Sequence, residues 1–231
     1  CKVHVCDIDP AAIDDFLRAN PGSSATLADV ADVNMVDKLF DELVGLYGGL
    51  DVLVNNAGIA GPTAVVEDID PADWDRTVAV DLNGQFYCCR RAVPLLKQAA
   101  SSSIINISSC AAFFGVPLRA PYAACKWALI GFTKTLAMEL GEAGVRVNAI
   151  CPGSVSGDRI QAVIEKDAIK RGKTTDEIRD AYKRQSSLRC FVSAKDVAHM
   201  ALFLVSDLGA HISGQALGVD GHTEFLSSVL D

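Results

Sequence analysis

The chain has 231 residues, half of them hydrophobic, which is enough for one substantial core and fits a single α/β domain. Its 21 basic and 29 acidic residues leave a net charge of -8 without any Lys/Arg block, which points away from nucleic acid as a partner. The longest apolar runs, such as residues 50–54 and 200–205, fall far short of the roughly 20 residues that cross a bilayer, so no membrane partner is expected.

Eight cysteines occur singly or adjacent (Cys88, Cys89) inside apolar segments and form no CxxC pair. They read as reduced core residues of a cytoplasmic protein rather than as a disulfide framework. His4, His199, His211 and His222 are scattered, with no second ligand type at metal-site spacing, and no metal is expected.

In chain order, strands are predicted at residues 2–7, 25–29, 50–55, 103–108, 146–151 and 216–219, and helices at 10–19, 34–47, 71–98, 121–142 and 194–205. Several helices open on Asp or Ser, as N-caps do. Strands of continuous rather than alternating apolar character, alternating with helices, imply a parallel sheet covered on both faces, a doubly wound α/β domain. Residues 158–189 break this rhythm: the segment is strongly charged, helical around 175–183, and reads as a lid over the carboxyl ends of the strands.

Tyr122 and Lys126 lie four positions apart in a predicted helix, so phenol and ammonium share one face. A cation beside a phenol favours phenolate, which suits Tyr122 to general acid/base work on an alcohol or carbonyl. Taken alone, the pair describes an amphipathic surface equally well. Thirteen residues before Tyr122, a strand delivers Ser109 to the carboxyl edge of the sheet, where open α/β folds bind ligands. Ser109 is assigned to the substrate oxygen and Ser108 to capping the loop. Asn55-Asn56-Ala57-Gly58 turns out of a buried strand through small residues, as a close backbone approach requires. Asp7 ends the first strand, where a carboxylate accepts hydrogen bonds from adenosine ribose hydroxyls and repels a 2′-phosphate, and Asp29-Val30 ends the next, placed for the adenine edge.

Together with Pro152-Gly153 after a strand and the closing Gly214-Gln-Ala-Leu-Gly-Val-Asp220-Gly221, these motifs resemble the classical short-chain dehydrogenase/reductase family over essentially the whole chain. The resemblance implies a Rossmann-type fold and hydride exchange between a nicotinamide and a secondary alcohol or ketone. It implies Ser109, Tyr122 and Lys126 as the catalytic set. Asp7, Asp29, Val30, Asn56, Ala57, Gly58, Tyr122, Lys126 and the backbone of Val155 would bind the cofactor, which Asp7 makes NAD in preference to NADP. It also implies a homo-oligomer, a tetramer built through the long helices. The rival readings are a 3-oxoacyl-thioester reductase using NADP(H) and a catalytically silent, cofactor-binding scaffold.

Three departures from the family pattern stand out. The Gly-rich diphosphate loop and its central strand are absent and are expected upstream of Cys1, so the strands beside that position should lose backbone partners. Asp81 stands where the family has an Asn that supports a water relay to Lys126, which alters the relay without abolishing it. Gly157 replaces a Thr that touches the cofactor.

Overall fold

A computed structural model describes residues 1–226 of the chain. Strands and helices alternate through β1 (His4–Asp7), α1 (Pro10–Ala19), β2 (Ser24–Leu27), α2 (Val33–Tyr47), β3 (Val52–Asn55), α3 (Pro71–Val78) and α4 (Gly84–Leu96). They continue through β4 (Ser102–Ile107), α5 (Ala120–Leu140), β5 (Val145–Pro152), α6 (Asp158–Arg171), α7 (Thr175–Arg184), α8 (Ala194–Val205) and β6 (Ala216–Val219). The helix starts follow from local chemistry. Asp9, Asp32 and Asp70 accept hydrogen bonds from first-turn N–H groups of α1, α2 and α3, and Thr174 and Ser193 form reciprocal capping boxes with Glu177 and Asp196.

All strand pairs are parallel and fall into two sheets, β1-β2 and β3-β4-β5-β6. β1 and β3 each keep one edge without a strand partner among the described residues, the division expected when the family's central strand is absent. Within the larger sheet, adjacent residues of β4 serve opposite faces. Ile104 joins Val147, Leu96, Leu136 and Leu140 in the core beneath α2, α4 and α5, while Ile105 joins Ile150 and Leu204 beneath α8. Both faces are thus covered, which is why β4 and β5 are almost continuously buried.

The one expected helix over 71–98 is in fact two, α3 and α4, joined by a π-helical turn at Ala79–Asn83. An extra residue in that turn widens the helix and re-aims the side chains around Asp81. The 158–189 segment forms α6 and α7, which pack Ile164, Ala168 and Ile178 into a small core of their own.

A buried polar chain ties the sheet to α5. Asn55 Nδ2 donates to Asn106 Oδ1 (2.9 Å), and Asn106 Nδ2 donates to Thr133 Oγ1 (2.9 Å). Removing the middle member strands partners on both sides, and each buried unpaired group costs about 1–3 kcal/mol. Asn106→Ala should therefore destabilise the fold by roughly 2–5 kcal/mol, read as a lower urea midpoint, whereas Thr133→Ser should leave the midpoint nearly unchanged.

Candidate active site

Lys126 is the best-buried cation of the site, with its side chain only 4% exposed on α5. Its Nζ donates to the Ile107 carbonyl at the end of β4 (3.3 Å) and lies 3.4 Å from Asp81 Oδ2, a charge contact that lacks hydrogen-bond alignment. Asp81 is fully buried in the π-helical turn, and its Oδ1 accepts the Ile59 N–H (2.7 Å). One carboxylate therefore holds both the ammonium and the chain that leaves β3. Gly58 makes this possible: a Cβ there would sit 3.3 Å from Asp81 Oδ1 and 3.5 Å from Lys126 Nζ. The Asn-Asn-Ala-Gly turn is small at this position because the backbone passes directly over the ion pair.

Tyr122 occupies the first turn of α5, half-buried, with Lys126 Nζ 5.4 Å from its ring centroid. The helical spacing thus places phenol and ammonium side by side as expected. A second cation, not foreseen from sequence, flanks the same ring. Arg119 Cζ lies 5.1 Å from the centroid, and its guanidinium donates to the Ala60 carbonyl (2.7 Å). Its only sequence mark is its place at the N-cap of α5, three positions before Tyr122. Leu118, just before it, has φ 68° and is held there by Ala64 N–H donating to its carbonyl (3.0 Å). A left-handed Leu costs about 1–3 kcal/mol and is retained only where the surroundings impose it.

Ser109 lies past the end of β4, buried, and its Oγ accepts the Ala111 N–H (3.1 Å). Ser108, expected to cap the loop, instead donates to the Lys126 carbonyl (2.9 Å) and pins the strand end to α5. Capping falls to Ser109.

The residues expected to hold a cofactor follow the strand ends. Asp7 is exposed at the end of β1, with one oxygen accepting the Asp9 N–H (2.9 Å). Asp29 pairs with Arg76 (2.9 Å), while Val30 is buried against Gly84 of α4, where a Cβ would meet it at 2.8 Å. Asn56 and Ala57 are exposed beside Gly58. Val155 forms a parallel bridge to Val192 in which Ser154 O and Ser156 N make the hydrogen bonds. Its own N–H and C=O therefore point the other way, as a carboxamide partner requires. Gly157 has φ 140° and ψ -177°, a conformation essentially confined to glycine. The missing Thr side chain thus has a backbone cause: no L-residue fits this entry to α6 without strain.

α6 folds back over the turn after β3, with Arg159 donating to the Gly58 carbonyl (3.2 Å) and Lys170 to the Thr63 carbonyl (3.2 Å). Between them lies a cavity of about 280 Å³, with Arg119, Arg159 and Lys166 on its wall.

Residues 1–222 match the family model described as Enoyl-(Acyl carrier protein) reductase. The chain is similar to D-beta-hydroxybutyrate dehydrogenase of Rhizobium meliloti (strain 1021), with 34% identity over 207 residues covering 88% of this chain and 80% of the relative. It is similar at 34% identity over 211 residues to 3-oxoacyl-(acyl-carrier-protein) reductase FabG of Staphylococcus aureus (strain Mu50), covering 91% of this chain and 81% of the relative. The structure of actinorhodin polyketide ketoreductase with NADPH superposes with a TM-score of 0.90 at 30% identity, covering 95% of this chain and 86% of that one.

Because a buried ammonium left without its carboxylate is costly, Asp81→Ala should lower stability by about 3–5 kcal/mol in urea titrations. Asp81→Asn keeps an acceptor for Ile59 and should lose distinctly less.

Proposed function

The chain belongs to the classical short-chain dehydrogenase/reductase family, oxidoreductases of alcohol and ketone groups, and we propose that it is NAD(H)-dependent, with Tyr122 as its proton donor and acceptor. On this proposal residues 1–231 belong to one nucleotide-binding catalytic domain. The observation that carries the reading is the placement of the Tyr122 ring beside an ammonium that Asp81 and the Ile107 carbonyl hold in place.

Each residue then has a task at a stated atom. Ser109 donates its hydroxyl proton to the substrate oxygen, while its Oγ accepts the Ala111 N–H. Tyr122 Oη takes the alcohol proton during oxidation and returns it during carbonyl reduction. Lys126 balances the phenolate charge and reaches for the nicotinamide ribose. Asp81 Oδ2, buried and without a hydrogen-bond partner, can accept from a relay water in place of the family's Asn. Asp7, Asp29 and Val30 would hold the adenosine end of the cofactor, while Asn56, Ala57 and Gly58 would face its ribose. Val155 would bind the carboxamide through its free N–H and C=O. When bound, the nicotinamide supplies or accepts the hydride.

Asp7 supports NAD: a 2′-phosphate on the adenosine ribose would meet a carboxylate there. A 3-oxoacyl-thioester reductase using NADP(H) is the second reading, favoured by the equal similarity to FabG and disfavoured by Asp7. No helix among the described residues is long and apolar enough to cross a membrane. A cytoplasmic setting is supported by eight free cysteines, of which Cys88, Cys89 and Cys151 are pushed up to about 12 by burial and so stay protonated. A homotetramer through the long helices is supported by apolar side chains left exposed on them, with Phe86 at 49%, Trp127 at 53% and Met138 at 85%.

Tyr122→Phe should bind NADH as the parent does yet lose about 10²–10⁴-fold in turnover, and undiminished turnover would remove Tyr122 from the chemistry. Asp7→Ala should narrow the NAD over NADP preference in kcat/KM by about tenfold or more, and an unchanged ratio would sink its assigned role.

A further inference from the structure

The cavity between the Gly58–Thr63 turn and α6 carries three cationic side chains and no carboxylate on its wall. In a chain of net charge -8 that is an uneven placement. Elsewhere several guanidinium groups find acids: Arg90 and Arg91 share Asp37, Arg76 meets Asp29, and Arg171 meets Asp167, while Arg146 and Arg179 are held by neutral oxygens at sites apart from each other. Arg119, Arg159 and Lys166 make no ion pair among the described residues. Arg119 and Arg159 are positioned by neutral carbonyls, those of Ala60 and Gly58, which orient a guanidinium without neutralising it. The Arg119 Nε is buried and has no partner. Three like charges gathered around one small cavity repel one another, and the arrangement is relieved when an anion enters.

The cavity adjoins the chemistry at two points. Arg119 lies against the Tyr122 ring, and Gly58 lies against Lys126 and Asp81. Its volume of about 280 Å³ is at the small end for ligand sites, which suits a short molecule rather than a long acyl arm. We propose that this cavity is a carboxylate subsite, in which Arg119, Arg159 and Lys166 receive the carboxylate of a short hydroxy or keto acid whose oxygen faces Tyr122. The proposal rests on the oxidoreductase reading for its reacting oxygen, but the anion site itself is tested by binding alone.

The test uses Tyr122→Phe protein loaded with NADH, so that ligands bind without turning over. Calorimetry compares 2-, 3- and 4-oxo acids of four or five carbons with their methyl esters. The acids should bind at least about tenfold tighter than the esters, since a bidentate charge-assisted contact is lost in each ester. Lys166→Met or Arg159→Met should erase about tenfold of that advantage, Lys166→Arg should restore most of it, and NADH affinity should stay unchanged. Esters binding as well as acids would overturn the subsite, and so would substitutions that weaken NADH instead, because the cations would then serve the cofactor phosphates. The parent enzyme assayed with the same compounds reports on the function separately. Acids that bind selectively but are never reduced leave the subsite standing and sink the oxidoreductase reading.

Discussion

The contact between Asp81 and Lys126 organises the site. Neither group could remain buried alone, because an uncompensated charge out of water costs several kcal/mol. Asp81 meets this demand with two commitments, one oxygen to the Ile59 N–H and the other toward the ammonium. Three otherwise independent segments, the π-helical turn, the exit from β3 and the face of α5, are thereby fixed in one geometry. Tyr122 inherits its position from that arrangement, since its ring lies one helical turn before the ammonium. The glycine at 58 belongs to the same constraint, as a Cβ there would press on Asp81 Oδ1 at 3.3 Å.

Much of this was legible in the sequence. Residues 103–108 and 146–151 carry apolar neighbours in succession, Ile104-Ile105 and Ala149-Ile150-Cys151, and a strand covered on both faces leaves that mark; α1, α8 and β6 coincide with their predicted ranges. The Tyr122/Lys126 pair was readable because helical spacing is a short-range property. The π-helical turn was not, because one extra residue leaves the apolar pattern on either side intact and shows only when two faces are compared in space. Arg119 was missed for a related reason. An arginine at a helix start reads as a solvated residue, and it is the Ala60 carbonyl, far away in sequence, that draws it inward. The passage of loop capping from Ser108 to Ser109 is likewise tertiary: two adjacent hydroxyls at a strand end are indistinguishable until the backbone of α5 lies beside one of them.

The lid-like segment shows how charge and packing divide the work. Ile164, Ala168 and Ile178 give α6 and α7 a private core, so the pair holds together without borrowing from the main sheet. Its attachments to the rest include Arg159 and Lys170 donating to carbonyls of the turn after β3 and backbone pairing of Gln185–Leu188 with Gly221–Glu224.

Gly157 adds a consequence of its own. With the backbone at φ 140°, the position is open only to a residue without a Cβ, while space for a side chain is ample. A threonine introduced there by a single change would meet strain before it could offer its hydroxyl to anything. The same strain meets every L-residue at this position, so any grip on a ligand at the entry to α6 falls to the backbone or to other residues.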